Sequence, residues 1–318
     1  MHKCFPAVAA LLTSLLAGVL LAMAVCAQAQ APPLLAVWGS DGSGPGQFHH
    51  PLGIAVGPDG NLYVADSGNN RIQVLTSSGD FVTQWGSDGH DPWSLNAPIH
   101  VAVDASGRVF VTEFWLSSNS QSGLQVFSST GDYFASWRPF GDTTGTFAFG
   151  SPFGVAVGPD GRVYVADGNS RIYIFTSTGA YVAFWSVGGR GLAVDPSGFV
   201  YVMDTGCGCV RKFNASGTQM TSWSSGALDL AVDALGNVYT ADMAKNRVVA
   251  YDTNGGPLAI WGAYGNAPGE FYAPSGISLG PDGRIYVADT YNNRIQVFGS
   301  LPTPTKSSSW GRLKARYR

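Results

Sequence analysis

The chain has 318 residues, of which 45% are hydrophobic and only 12% are charged, with 42 Gly and 18 Pro. This composition excludes a coiled coil, and so much apolar material argues against a disordered chain. The formal net charge is -3, so the chain as a whole offers no broad cationic surface to nucleic acid.

Residues 1–29 have the pattern of a cleaved secretory leader. A short basic start precedes an apolar stretch that ends in Ala27-Gln28-Ala29, a small-residue motif that signal peptidases accept. A retained membrane anchor is the first alternative. A lipoprotein modified at Cys26 is the second, although Val25 departs from the usual motif. We therefore expect the remaining chain to be exported to the periplasm, the cell surface or the medium, with no membrane span.

Six similar segments follow one another after the leader. They cover residues 53–85, 100–137, 154–185, 191–223, 229–261 and 276–298. Each segment holds about four short apolar or alternating runs, separated by turn sequences such as GPDG and SSGD, which is typical of antiparallel strands. Four antiparallel strands repeated radially form the blades of a propeller. The sequence therefore predicts an all-β, six-bladed β-propeller over residues 30–300.

The last segment lacks its fourth strand, because it stops at Phe298. Residues 34–38 match the missing strand, so we expect them to pair with residues 294–298 and to close the ring without leaving exposed sheet edges. One Trp then occupies an equivalent structural position in each blade: Trp38, Trp85, Trp137, Trp185, Trp223 and Trp261.

The repeated pattern PDG-x-[ILV]-YVAD followed by NRIQVF resembles the NHL repeat, and the chain resembles secreted bacterial six-bladed NHL propellers from Leu34 to Phe298. What the resemblance implies most directly is the fold, a six-bladed propeller. Relatives include lyases, extracellular sensor domains and propellers that bind RNA or protein partners, so the fold alone does not determine the function.

Acids close the second strand of every blade, and we expect these acids and the Arg that soon follows to pair or hydrogen-bond within the same blade. The acids are Asp66, Glu113, Asp167, Asp204, Asp242 and Asp289, and the arginines are Arg71, Arg171, Arg247 and Arg294. A ring of acids that binds calcium is the alternative.

The loops that lead into the first strand of each blade differ in length, and this difference predicts an uneven recognition face. They are long before blades one, two, three and six and very short before blades four and five, and blade two has an insertion over 114–122. Exposed aromatic side chains often mark interaction sites. Simple packing of the loops is the alternative. The ligand-binding candidates are Trp93, His100, Trp115, Phe149, Arg190, Asp229 and Tyr272.

Four histidines, His49, His50, His90 and His100, fall in the first two long loops or at the strand that follows. A catalytic zinc needs about three protein ligands and an open position for water. Only His100 lies at the start of an inner strand, a position that Asp229 takes in the opposite blade. The resemblance to one group of relatives, the peptidylglycine-amidating lyases, therefore fails at their catalytic residues. No cofactor is predicted, and zinc or calcium stays open as the alternative.

Cys207 and Cys209 are the two cysteines that remain after leader removal, and we expect an exported protein to join them in a disulfide. Free thiols or a metal pair are the alternatives. Residues 301–318 change to Pro, Ser, Thr and basic residues, which predicts a flexible tail that could contact an anionic surface.

No complete catalytic constellation is visible in the sequence, so we favour a binding scaffold over an enzyme. The expected partner is a protein, peptide or glycan on the loop face, and nucleic acid is not expected. A metal-assisted lyase or hydrolase centred on His100 is the alternative.

Overall fold

The computed structural model describes residues 30–89, 91, 93–113, 123–137 and 151–302. The predicted leader (1–29) and most of the predicted tail (303–318) lie outside this part of the chain. The compact unit runs from Ala31 to Leu301. No helix among the described residues is long and apolar enough to cross a membrane.

Within the described residues, twenty-four short strands form six four-stranded antiparallel sheets, which confirms the predicted all-β six-bladed propeller. Blade one contains β2 (Pro51–Val56), β3 (Leu62–Asp66), β4 (Arg71–Leu75) and β5 (Phe81–Trp85). Blade two contains β6 (Pro98–Val103), β7 (Val109–Glu113), β8 (Leu124–Phe127) and β9 (Tyr133–Trp137). Blade three contains β10 (Pro152–Val157), β11 (Val163–Asp167), β12 (Arg171–Phe175) and β13 (Tyr181–Trp185).

The remaining blades follow the same plan. Blade four contains β14 (Leu192–Val194), β15 (Val200–Asp204), β16 (Cys209–Phe213) and β17 (Gln219–Ser224). Blade five contains β18 (Asp229–Val232), β19 (Val238–Asp242), β20 (Arg247–Tyr251) and β21 (Pro257–Trp261). Blade six contains β22 (Pro274–Leu279), β23 (Ile285–Asp289), β24 (Arg294–Phe298) and the amino-terminal strand β1 (Leu34–Trp38).

The predicted closure is confirmed. Strand β1 pairs antiparallel with β24, with Trp38 opposite Ile295 and Leu34 opposite Phe298. The inner strands contact one another in the cyclic order β2, β6, β10, β14, β18, β22 and back to β2, so blade two stands opposite blade five.

The core is a ring of apolar clusters, each shared by two neighbouring blades. In five blades the closing Trp packs against the aromatic residue that ends the third strand of the next blade, with ring centroids 5.5–6.0 Å apart. The sixth, Trp38, contacts Tyr286 at 5.8 Å and packs in the cluster that contains Leu75 of blade one. Such offset aromatic pairs add stability beyond the apolar area that they bury. The repeated Trp residues are therefore inter-blade packing residues, as their periodicity predicted.

Candidate functional site

The mouth of the central channel on the loop face is formed by one residue from the start of each inner strand. Four of the six are glycines, and a Cβ at any of them would collide with backbone of the next blade: Gly53, Gly154, Gly191 and Gly276. The backbones approach so closely that only glycine fits at these four positions. The other two positions carry His100 and Asp229, which face each other from opposite blades.

His100 and Asp229 form a pair across the channel axis. The His100 Nε2 lies 3.2 Å from Asp229 Oδ1, and the backbone N–H of Ile277 donates to Asp229 Oδ2 at 3.1 Å. Burial lowers the pKa of His100, but the charge and hydrogen bond of Asp229, with a smaller contribution from the backbone of Val155, raise it overall above its ordinary value. The buried Nδ1 has no partner of hydrogen-bonding geometry among the described residues.

A cavity of about 190 Å³ opens at this mouth, and all six blades contribute to its lining. His100, Asp229 and the candidate Arg190 all line it. The Arg190 guanidinium lies 4.4 Å from the centre of the Phe153 ring, a cation–π contact that holds the charge at the rim. Three of the predicted candidates are therefore gathered in one place.

The loops leading into blades one and six share one frame of buried polar residues. Arg71 donates to Asp66 at 2.8 Å and to the loop carbonyls of Ser43, Gly44 and Gln47. In blade six, Arg294 donates to Asp289 at 2.6 Å and to the carbonyls of Asn266, Ala267 and Glu270. The predicted contact between acid and Arg occurs here and also in Asp242–Arg247. In blade three the backbone N–H of Arg171 donates to Asp167 Oδ1 at 3.1 Å, and the Arg171 guanidinium bonds the Tyr173 hydroxyl.

Glutamine completes this frame, which sequence reasoning missed. Gln73 and Gln296 each bond both the loop and the blade acid. Gln125 makes the corresponding contacts with Ser94 and Glu113 in blade two. The signal was present in the sequence, because this glutamine occurs only in blades with a long leading loop.

An aromatic ridge, defined as Tyr264, Tyr272, Tyr291, His50 and His49, crosses the boundary between blades six and one on the loop face. Successive ring centroids lie 5.2, 4.9, 5.3 and 4.4 Å apart. Tyr264, Tyr272 and Tyr291 are 68%, 41% and 46% exposed. Of these five residues, Tyr272, His49 and His50 were candidates from the sequence.

His50 has a left-handed backbone conformation, with φ of 49°. The equivalent residues before blades two and six are Ala97 and Ala273, with φ of 46° and 54°, and in all three cases the N–H donates to an Asn side chain of the preceding blade at 2.8 Å. A non-glycine residue in this region carries a conformational cost. Because Ala satisfies the same backbone role, the imidazole of His50 is not required by the loop.

Among the described candidates for metal ligands, His49 and His50 are neighbours on the ridge, but His100 is not beside them. His49 Nδ1 contacts Asp41 at 3.0 Å, whereas His100 lies in the channel mouth and His90 is outside the described residues. Within the described part of the chain, no group of three or more His, Cys, Asp or Glu residues is placed to hold a metal ion.

Trp93 is 55% exposed and lies beside a shallow outer pocket with Trp85, Phe127 and Tyr133, away from the mouth. Trp115 and Phe149 lie outside the described residues. The loop residues equivalent to Phe149 are buried anchors: Phe48, Leu95 and Phe271.

Cys207 and Cys209 are joined in a disulfide in the turn between β15 and β16. Cys207 is exposed, and the Gly208 carbonyl between the two accepts bonds from Ser225 and Gly226 of the short loop leading into blade five. The disulfide therefore stiffens a turn on the loop face.

A second cavity, of about 570 Å³, lies at the opposite end of the channel. Its walls are mostly Gly, Pro, Ala and Val from turns between first and second strands, together with Asp104, Asp233 and Leu235. These turns recur from blade to blade, so this end shows less of the blade-to-blade variation that distinguishes the loop face.

Comparisons with known proteins agree with this architecture. The NHL repeat family matches residues 48–75 and 271–298, the segments that contain the Arg71 and Arg294 frames. The Caenorhabditis elegans protein lin-41 is 40% identical over 52 residues, which cover 16% of this chain and 4% of the length of that protein.

Solved structures share the fold at low identity. A virginiamycin B lyase from Staphylococcus aureus is 13% identical with a TM-score of 0.57, covering 79% of this chain and 95% of its own. A gluconolactonase from Xanthomonas campestris is 15% identical with a TM-score of 0.62, covering 87% and 99%. Regucalcin, a calcium-binding protein from Agrobacterium tumefaciens, is 15% identical with a TM-score of 0.60, covering 86% and 96%. The chain therefore contains NHL repeats at residues 48–75 and 271–298, within a closed six-bladed β-propeller.

Proposed function

We propose that this protein is a binding scaffold that recognises a protein, peptide or glycan through its loop face. The observation that carries the proposal is the aromatic ridge, because its rings stand exposed on a frame that does not require them. Asp41 and Gly68 occupy the positions in blade one that Tyr264 and Tyr291 occupy in blade six. Exposed aromatic residues held by a rigid scaffold are characteristic of recognition surfaces.

The charge of the propeller supports a partner other than nucleic acid. Residues 30–300 contain 21 acidic and 12 basic residues. A body with this excess of negative charge repels a polyanion at long range.

The test is to screen peptide and glycan libraries with the purified protein and then to compare variants of the two faces. Tyr272→Ala should weaken a partner found in this way by about tenfold or more, since aromatic contacts dominate most interfaces. Leu235→Ala removes a side chain that is 82% exposed at the opposite end of the channel, and it should leave the affinity unchanged. Equal losses in both variants would refute the proposal.

A second candidate is a lyase or hydrolase at the channel mouth, and the His100–Asp229 pair beside Arg190 favours it. The raised pKa of His100 suits a general acid, and Arg190 suits an anionic substrate group. Gluconolactone and virginiamycin B are the natural probes, because a gluconolactonase and a virginiamycin B lyase share this fold. Turnover that His100→Gln abolishes, while Tyr272→Ala leaves it unchanged, would establish this function instead.

Export and the role of the tail are further parts of the proposal. Amino-terminal sequencing of the protein from the producing cell should show cleavage after Ala29, and an intact Met1 would contradict it. Deletion of residues 306–318 should reduce association with anionic vesicles if the basic tail contacts an anionic surface.

A further inference from the structure

The ridge rests on a backbone with little hydrogen-bonding capacity left. The N–H groups of His49, His50 and Tyr272 donate to Asp66, Asn293 and Asp289. The carbonyls of His49 and Tyr272 accept from Gly68 and Tyr291. A peptide that binds as an added strand needs free backbone groups. The ridge therefore recognises its ligand with side chains.

The side chains of the ridge offer ring faces and polar edges. None of the hydroxyls of Tyr264, Tyr272 and Tyr291 hydrogen-bonds to another residue in the described part of the chain. Each hydroxyl can donate and accept, as can a neutral imidazole through its two nitrogens. The aromatic faces carry partial negative charge and attract C–H groups.

The charges around the ridge have partners within the protein. Asp41 contacts His49, the Glu270 carboxylate accepts from the Ala267 N–H, and Lys245 lies 3.8 Å from Asp242. No unpaired cation adjoins the ridge within the described residues that would attract an anionic ligand. The ligand that fits is uncharged, has C–H faces and carries many hydroxyls.

We infer that the aromatic ridge binds an uncharged oligosaccharide, with sugar rings stacked on the tyrosines and sugar hydroxyls bonded to the phenols and imidazoles. This inference rests on the proposed function and narrows it to one class of ligand and one part of the loop face. Successive rings are spaced closely enough for neighbouring sugar units to contact neighbouring side chains.

Isothermal titration calorimetry with the full chain tests the inference, using cello-, chito- and malto-hexasaccharides as uncharged probes and an oligogalacturonate as the anionic probe. At least one uncharged probe should bind, and the anionic probe should bind less tightly. Tyr272→Ala and Tyr291→Ala should each weaken binding by about tenfold. Tyr291→Phe should weaken binding less than Tyr291→Ala does, because it keeps the aromatic ring.

A matched variant converts the ridge of blade six to the residues of blade one: Tyr264→Asp, Tyr272→His and Tyr291→Gly. It should abolish binding while keeping the fold, because blade one supports these residues on the same frame. Phe134→Ala removes an exposed aromatic residue of β9 and serves as the control that keeps full affinity.

Two negative results have different meanings. If no uncharged oligosaccharide binds, but a peptide or protein partner depends on Tyr272, the oligosaccharide inference fails and the binding-scaffold proposal stands. If ligands of all these classes bind equally well to the wild type and to the blade-one-like variant, the ridge is not a binding site and the oligosaccharide inference fails. If, in addition, no partner depends on the loop face, the binding-scaffold proposal fails as well.

Discussion

The loops leading into blades one and six have the same internal structure and different outward side chains. Arg71 and Arg294 hold three loop carbonyls each, and Phe48 and Phe271 are fully buried beneath them. Yet Asp41 and His49 stand where Tyr264 and Tyr272 stand in blade six. Since the frame contacts mainly backbone, it fixes the course of the loop and leaves the outward residues free to serve recognition.

Blade four shows the effect of a very short leading loop on the blade acid and its partner. Cys209 occupies the position of Arg294, opposite the blade acid in the same register, and Cys207 occupies the position of Asn292. The four-residue loop SVGG gives an arginine no carbonyl-rich segment to hold. Asp204, the acid of blade four, instead pairs with Arg211 at 3.0 Å.

Removing the arginine should break the shared frame in both blades. Arg71→Ala and Arg294→Ala should each lower the free energy of unfolding by about 3–5 kcal/mol, because each leaves a buried carboxylate and loop carbonyls unpaired. Denaturant unfolding measures the loss. Arg162→Ala breaks the exposed pair with Asp160 and should cost no more than about 1 kcal/mol. Clearly unequal losses at Arg71 and Arg294 would show that the two frames are not equivalent.

The mouth extends the comparison, because blades one and six carry glycine where blades two and five carry His100 and Asp229. His100→Gln should destabilise the protein by about 1.5–3 kcal/mol at acidic pH, since it removes a charge-assisted hydrogen bond. The pKa of His100 in the folded protein is raised above its ordinary value of 6.5. The His100–Asp229 pair therefore stabilises the fold fully below pH 6.5, and this stabilisation declines as the pH rises through the pKa of the folded state. The unfolding free energies of the wild type and of His100→Gln, measured at several pH values, should therefore converge towards alkaline pH. A difference between them that grows with pH would contradict an ion pair between His100 and Asp229.

Adding a methyl group at the mouth tests the close approach of the inner strands. Gly53→Ala and Gly276→Ala should each cost about 1–3 kcal/mol, because the new Cβ meets backbone of the neighbouring blade. Denaturant midpoints measure the effect. An unchanged midpoint in either variant would mean that the strands can separate at the mouth without loss.

The disulfide should give the smallest effect. Replacing Cys207 and Cys209 together by Ser should lower the free energy of unfolding by about 1.5 kcal/mol or less, because the bridge closes a very short segment. Thermal unfolding of the double variant beside Arg294→Ala gives the comparison. A loss as large as that of the arginine variant would assign the disulfide a structural role of equal weight.

The repeats, the closing strand and the inter-blade tryptophans could be predicted because each depends on local turn chemistry or on strand alternation that recurs in phase. His100 and Asp229 could also be found, since they replace glycine at a register position. The ridge could not be predicted. Tyr291 and His50 come from opposite ends of the chain, and nothing local in either segment indicates that their rings touch at 5.3 Å.

The seam between β1 and β24 also constrains how the molecule folds. Its two strands come from the first and last parts of the propeller, so they can pair only after nearly the whole propeller has been synthesised. Closing so long a loop costs entropy and slows folding. Until that step, the outer edge of β24 and the partner surface of β1 stay open to other chains, so aggregation during folding competes with ring closure at this one seam.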